Sequence, residues 1–482
     1  MPQKRLQLEI LSEESLIRIE ETAYRLLAEV GISLQHLAAQ EMLYGQGCYV
    51  KNERVLIPRQ VVEWALANVT PYTEFLTMQG NPAFSFGDGQ IRFHNGGGPP
   101  FVHDLNSGER RPARLQDVVE MTRLLDALPN VDVVMPLFGP EDIPPELLAI
   151  VSTEATLRHS RKPVMCAAVD KPEQVPFMVE LAAACCGGLE QFRRRPTMSI
   201  AVSPVSPLIF TADVTAAIIA IAESGAGFHS LPAPSLGATG PITLAGALAQ
   251  QHAEVLASFV IAAAARAGAP VVYCARINPI DLRTAMSSWG GPEVGLAGAC
   301  AGQLAHRLGL PADAYGFCTS ASRLDPQFAY ERLTNAFMPA LAGVDIMSGV
   351  GTLDSGLAGG LEVAVIDDEM IGLLKHVVGG VAVDEESLAL EVMRQVIPGD
   401  GVFLAEEHTV TQMRRGALWL PRLSERESGS TGGGEGVVAR AGARAREILA
   451  THQVAPLPEA VSQHLTEIIE RARRELIKDR SG

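Results

Sequence analysis

Residues 198–232 read MSIAVS (198–203), PVSPLIF (204–210), TADVTAAIIAIAE (211–223), SGA (224–226) and GFHSLP (227–232). Two short apolar runs flank a segment whose apolar positions recur at helical spacing, with Pro and Gly at the joints. A strand buried on both faces reads as a continuous apolar run, and a helix joins two such strands when they lie parallel. The same unit repeats outward in both directions. Toward the N-terminus lie the run Val131–Leu137, a helix at Pro145–His159, the run Pro163–Val169 and a helix at Glu173–Cys185. Toward the C-terminus lie a helix at Thr243–Ala267, the run Pro270–Ala275, a helix at Pro292–Leu308 and the weaker run Ala314–Thr319. A helix at Pro326–Ala342, the run Val344–Ser348 and a helix at Glu362–Val377 follow. These runs span 131–348, and Gly401–Leu404, after a helix at Glu385–Val396, is the expected eighth strand. Eight β/α units predict an α/β fold, a (β/α)8 TIM barrel. An open doubly wound sheet is the weaker reading, because no GxGxxG follows an early strand.

Around this barrel, expected at 113–425, the chain changes character. Residues 1–112 predict an N-terminal extension of helices (Ser12–Val30, Arg59–Ala67) and a small β region (Thr73–Met78, Ile91–Phe93) packed on the barrel. Residues 426–482 predict a flexible linker at Ser428–Gly434 and a tail of two charged amphipathic helices, Val437–Leu449 and Glu459–Ile477. The 482 residues are 47% hydrophobic, enough for a large core. A net charge of −16 argues against a nucleic-acid partner, which clustered Lys and Arg would have to hold. The seven cysteines (48, 166, 185, 186, 274, 300 and 318) sit mostly in apolar runs without the Cys/His spacing of a zinc site. Reduced thiols and no metal are expected. Met1–Ile10 lacks the apolar core of a signal peptide, and Val255–Ala265 is too short to span a bilayer. A soluble, cytoplasmic protein without a membrane partner is expected.

In such a barrel, chemistry belongs on the loops after the strands. That rule selects Ser203–Leu208, Pro232–Pro241, Cys318–Ser322 with Asp325, Gln327, Tyr330 and Glu331 beyond it, and Gly349–Gly356. Gly237–Pro241 reads either as a carboxylate or phosphate receptor at a helix N-terminus or as a tight turn. Gly96-Gly97-Gly98 lacks the Gly-Lys-Ser/Thr ending of a P-loop, and Pro99 and Pro100 remove donors. It reads instead as close backbone approach to a ligand or to the barrel mouth, beside His94 and Asn95. Glu254 reads as part of a satisfied polar face with Gln250, Gln251 and His252, and Asp367-Asp368-Glu369 are expected to face water. From the residues alone, the chain is a barrel enzyme for a small ligand.

The stretches Pro196–Pro207, Leu231–Ala257 (LPAPSLGATGPITLAGALAQQHAEVLA), Gly268–Tyr273, Gly290–Glu293, Gln303–Pro311 and Val365–Glu369 resemble the trimethylamine:corrinoid methyltransferase family. Gly96–Asp104 and Gly108–Pro112 fit the family's entry region, and the resemblance runs in order over about residues 15–425. It implies a TIM barrel that takes a methyl group from a small methylated amine and passes it to the Co(I) corrinoid of a small partner protein, with no cofactor tightly bound to the barrel itself. Where members lacking pyrrolysine carry a Ser-Asp-Ser-Lys-like segment, this chain has Thr319-Ser320-Ala321-Ser322 ahead of Asp325-Pro326-Gln327. A quaternary ammonium already carries the charge that makes its methyl transferable, so a betaine-like substrate such as glycine betaine or carnitine is expected. Under this resemblance Gln327, Tyr330 and Glu331 form the catalytic set, and Phe93 and Tyr273 join them around the ammonium. His94, Asn95, Ser206, Gly237 and Thr239 bind the rest of the substrate, and Gly349, Gly351 and His408 line the corrinoid entrance. The alternatives are demethylation of trimethylamine or another methylamine, a barrel lyase or hydrolase diverged at residues 318–322, and a non-catalytic amine-binding protein. The expected partners are the amine, a corrinoid-binding protein and a second copy of the chain in a homo-oligomer.

Overall fold

The structure, a computed structural model, describes residues 8–166, 169, 171–425 and 436–477. The stretch at 198–232 forms the expected unit. Met198–Val202 is a strand, Ala212–Ser224 a helix and Gly227–Ser230 the next strand. The helix starts where the Thr211 hydroxyl accepts the Val214 N–H, and it stops at Gly225, whose φ of 84° suits a residue without Cβ.

Eight parallel strands close into a ring. They are β1 (Arg92–Asn95), β2 (133–134), β3 (Val164–Cys166), β4 (Met198–Val202), β5 (Gly227–Ser230), β6 (Ala269–Ala275), β7 (Ala312–Tyr315) and β8 (Ile346–Val350). Strands β3 to β8 pair in chain order, and β8 pairs with β1. The circuit closes where His94 bridges Val133 and Val134 bridges Val164. After the strands come the covering helices Leu115–Ala127, Leu148–His159, Val175–Cys185, Ala212–Ser224, Leu244–Ala265, Pro292–Arg307, Pro326–Leu341 and Leu361–Val378.

Two expectations about the strands are corrected. Gly401–Leu404 is no strand: the chain there is exposed and makes a short 3-10 turn at Phe403–Ala405. The strand that completes the ring is Arg92–Asn95, from the segment read as a small β region. Strand β7 also begins two residues earlier than the apolar run suggested, at Ala312.

The N-terminal extension closes the bottom of the barrel. Val69–Pro71 pairs with the start of β6, and a hairpin (Glu74–Leu76, Pro82–Ser85) follows. Tyr72 and Phe75 pack edge to face at 4.9 Å, and Phe84 stacks on Phe75 at 4.8 Å. These rings join Val133, Met165, Ala201, Val272 and Ile346 in an interior cluster. Gly227 is required beside them, since a Cβ there would lie 2.9 Å from the Tyr72 ring. At the other end, the tail helices Val437–Thr451 and Glu459–Leu476 pack on the barrel's outer helices, burying Ala441, Ala445, Ile448, Leu465, Ile468 and Ala472. The expected linker, Ser428–Gly434, lies outside the described residues. Among the described residues, no helix is long and apolar enough to cross a membrane.

Candidate active site

A cavity of about 290 Å³ opens at the C-terminal end of the strands, where the loop rule places chemistry. His94 and Asn95 from the end of β1, Met165 from β3, Ala201 from β4, Arg276 just past β6, Tyr315 from β7 and Ser348 from β8 line it. Gly96, Gly97, Met135, Leu231, Trp289, Ser355 and Gly356 complete most of the wall.

Its polar side is organised by Asp313, buried on β7. Arg276 Nη2 donates to Asp313 Oδ1 at 3.1 Å, and His94 Nε2 lies 3.4 Å from the same oxygen. On the other oxygen, His229 Nδ1 and Cys274 Sγ each lie 3.4 Å away. Burial works to raise the Asp313 carboxyl, but Arg276, His94 and His229 outweigh it and hold the group well below the usual carboxylate range. Burial pushes His229 down, toward the neutral ring, and the Cys274 thiol well up. His94 Nδ1 is buried without a hydrogen-bond partner. The wall beside Arg276 is aromatic: its guanidinium lies over the Tyr315 ring, 5.6 Å from the centroid, Trp289 and Tyr315 meet edge to face at 5.1 Å, and the Tyr315 hydroxyl lies 3.2 Å from Thr352 Oγ1. Arg276 is the one Asp, Glu, Lys or Arg among the described lining residues.

Of the expected site residues, His94 and Asn95 line the cavity. Asn95 spends its side chain on the barrel seam, accepting Met135 N–H at 2.9 Å and donating to the carbonyls of Gly96 and Met135. The expected catalytic set does not reach the cavity. Tyr330 is 60% exposed on the helix after β7. Glu331 accepts from Thr319 Oγ1, the Ser320 N–H and Gln327 Nε2, so these residues brace the loop after β7. Phe93 points out of the ring, with Lys375 5.2 Å from its centroid. Tyr273 also faces outward, its hydroxyl 3.0 Å from His252 Nδ1. Ser206 donates to Glu254, which also accepts the Leu208 N–H and Gln250 Nε2 and so fixes the loop after β4. The loop of Gly237 and Thr239 is the tight turn: the amides of residues 238–240 all donate to the Ser235 carbonyl, and the Gly237 amide to Gly240. It offers no free amide row to a carboxylate. Gly349 and Gly351 are buried, the first accepting from Arg332 and the second donating to Asp367. His408 lies on an outlying helix beside the Glu386 carbonyl. Asp367 and Asp368 are buried rather than solvated: Asp367 pairs with Arg332, and Asp368 accepts the Asn130 N–H.

Arg276, Trp289 and Tyr315 were not singled out. Arg276 is the first residue after the run at 270–275, so the loop rule applied to that strand would have found it. Tyr315 was hidden by the two-residue offset of β7.

The family model described as trimethylamine methyltransferase (MTTB) matches residues 2–477. The chain belongs to that family. The chain is 30% identical over 473 residues to a glycine betaine methyltransferase of Desulfitobacterium hafniense, covering 97% of this chain and 98% of that protein. It is also 30% identical to a trimethylamine methyltransferase MttB from another strain of that organism, over 95% and 93% of the two chains. The crystal structure of the Methanosarcina barkeri monomethylamine methyltransferase MtmB superposes with a TM-score of 0.53 at 14% identity, over 94% of this chain and 89% of that one. This MTTB-family methyltransferase therefore shares its barrel with a distant amine methyltransferase.

Proposed function

We propose that the enzyme moves a methyl group from a zwitterionic quaternary amine, a betaine such as glycine betaine or carnitine, to the reduced corrinoid of a partner protein. The observation that carries this reading is the charge of the cavity wall. A cavity for a bare methylammonium ion would be expected to present a carboxylate, whereas here the one charged lining side chain is an arginine, beside an aromatic pair. A betaine satisfies both sides at once. Its ammonium rests against the Trp289 ring as a cation on an aromatic face, and its carboxylate meets Arg276. Asp313 and the carbonyls of Ala275 and Asp313 keep Arg276 in place, and its remaining N–H groups serve the carboxylate as donors. Met135, Met165 and Leu231 keep water off the methyl groups.

The corrinoid supplies, when its carrier docks, the reduced cobalt that accepts the methyl. The rim suits such a carrier: Val205, Ile242, Leu282, Met286 and Leu357 are exposed apolar side chains on the loops after β4, β5, β6 and β8. The chain's task is then alignment of one N–CH3 bond with the mouth. The same reading places the enzyme in the cytoplasm. It also allows self-association, for which the exposed apolar side chains between Val381 and Leu420 offer surface.

Calorimetric titration with glycine betaine, carnitine, tetramethylammonium and trimethylamine, followed by addition of Co(I) corrinoid, tests it. Binding and methyl-Co(III) absorption are expected with the carboxylate-bearing quaternary amines. Methyl transfer from trimethylamine alone would overturn it, and turnover without a corrinoid acceptor would favour a lyase or hydrolase.

A further inference from the structure

One layer beneath the cavity floor, β5, β6 and β7 bring His229, Cys274 and Asp313 together inside the ring, and all three side chains are buried. Cys274 is 45 residues from His229 and 39 from Asp313 along the chain, so no sequence spacing links them. The strand register does: Cys274 sits opposite Asp313, and His229 opposite Val272, two positions below Cys274 on β6.

The three donor atoms form a nearly equilateral triangle. His229 Nδ1 to Asp313 Oδ2 is 3.4 Å, Cys274 Sγ to Asp313 Oδ2 is 3.4 Å, and Cys274 Sγ to His229 Nδ1 is 3.5 Å. Magnitude separates two explanations. An N–H···O hydrogen bond has its mode at about 2.9 Å, so the His229–Asp313 contact is long for one. A tetrahedron built on zinc bonds of about 2.0 Å to N and O and 2.3 Å to S has ligand–ligand edges of roughly 3.3–3.6 Å, which all three distances match.

We infer that His229, Cys274 and Asp313 form a binding site for a zinc-class divalent ion, held through Nδ1, Sγ and Oδ2. One thiolate, one imidazole and one carboxylate are a borderline-soft set that selects zinc over magnesium or calcium. Asp313 Oδ2 is turned to the triangle while Oδ1 serves Arg276 and His94, so the ion would not displace the cavity's arginine. Three protein ligands leave the fourth tetrahedral position to a water. On binding, the Cys274 S–H proton leaves to solvent as the S–metal bond forms, with no change of oxidation state. The ion would brace β5, β6 and β7 and add positive potential beneath Arg276. This inference does not depend on the identity of the amine.

The full chain is purified, treated with chelator, dialysed and titrated with Zn2+ and separately with Co2+. Elemental analysis is expected to give one zinc per chain, retained through dialysis, and the cobalt adduct is expected to show tetrahedral d–d bands with a thiolate charge-transfer band. Cys274→Ser should abolish the charge-transfer band and weaken zinc binding by at least about a hundredfold, the upper end of what loss of mere supporting groups costs. Cys300→Ser, at a buried thiol on an outer helix, should leave both unchanged. Folded wild-type protein that holds no stoichiometric zinc overturns the inference, whatever the variants do. So does a charge-transfer band that survives in Cys274→Ser.

Discussion

Replacing Arg276 with Gln separates recognition of a carboxylate from recognition of an ammonium. A charge-assisted hydrogen bond in a closed site contributes about 2–3 kcal/mol, so KM for a betaine should rise on the order of a hundredfold. Affinity for tetramethylammonium should stay level or improve, because a like charge has gone. Trp289→Ala should weaken both ligands together, by about tenfold, since it removes a shared ring face. Equal losses of both ligands in Arg276→Gln would contradict the proposed pose. A second residue reports on pH. Lys162 donates to the carbonyls of Leu125 and Leu128 at the C-terminal end of the helix Leu115–Ala127, and burial lowers its amine from 10.5 to about 8. Below pH 8 both folded and unfolded chains hold the proton, and the folded state bears the full cost of burying the charge. Between pH 8 and 10.5 the unfolded chain binds more protons, so this lysine's contribution to stability rises with pH and is lost again as pH falls through 8. Urea denaturation of wild type against Lys162→Met should show a difference moving in wild type's favour by on the order of 3 kcal/mol across that window. A pH-independent difference would refute it. At this scale the sequence was partly legible: His94 and Asn95 could be selected because they flank a glycine run that must approach something closely. Tyr330 and Glu331 misled because a residue's offset beyond a strand does not tell which way a helix turns it.

At the scale of elements, the loop after β8 depends on one buried ion pair. Arg332, on the helix after β7, donates through Nε to Asp367 Oδ1 at 2.7 Å and also pairs through Nη2 with Oδ2. Its remaining donors hold the carbonyls of Gly349 and Thr352, and Asp367 takes the Gly351 N–H at 2.7 Å. The clamp fixes the backbone that leads on to Ser355 and Gly356 in the cavity wall. Breaking a fully buried pair from one side typically costs about 3–5 kcal/mol, because the surviving charge has no water to turn to. Asp367→Leu should therefore lower Tm and raise KM together, while the double variant Arg332→Met/Asp367→Leu should recover much of the lost Tm. A double variant no better than the single one would show that the carbonyl contacts, not the charge pair, dominate. Most strands were legible because both faces are buried, which makes apolar runs. Strand β1 was not assigned to the ring, since its interior side carries Arg92 and His94 and its outward side Phe93, an alternation that also describes a half-exposed hairpin. Gly401–Leu404 has strand-like composition without any ladder to join, and Val402 and Leu404 stay exposed.

For the whole molecule, the tail ties together helices that the barrel alone leaves uncovered. Val437–Thr451 packs on the helices Leu115–Ala127 and Leu361–Val378, and Glu459–Leu476 on Leu148–His159 and Val175–Cys185. Arg123 Nη2 joins the first pair by donating to the carbonyls of Leu449 and His452, both at 2.9 Å. Arg158 Nη2 joins the second by donating to Ser462 O and Thr466 Oγ1, both at 3.0 Å. The amphipathic periodicity of these two segments was readable in advance, but their partner was not, because an apolar stripe specifies burial without specifying against what. If the tail served only to recruit another protein, a chain ending at Glu425 would melt like the full one. Since it covers the joint between the first and last covering helices of the ring, its removal should uncover apolar surface where the barrel closes. A net loss of a few kcal/mol would lower Tm by roughly 2–4 °C in a chain of this length. Differential scanning calorimetry of the truncated chain, with a hydrophobic dye to report newly exposed surface, distinguishes the two roles: an unchanged Tm without dye binding would assign the tail to a partner, and a lowered Tm with dye binding to the barrel itself.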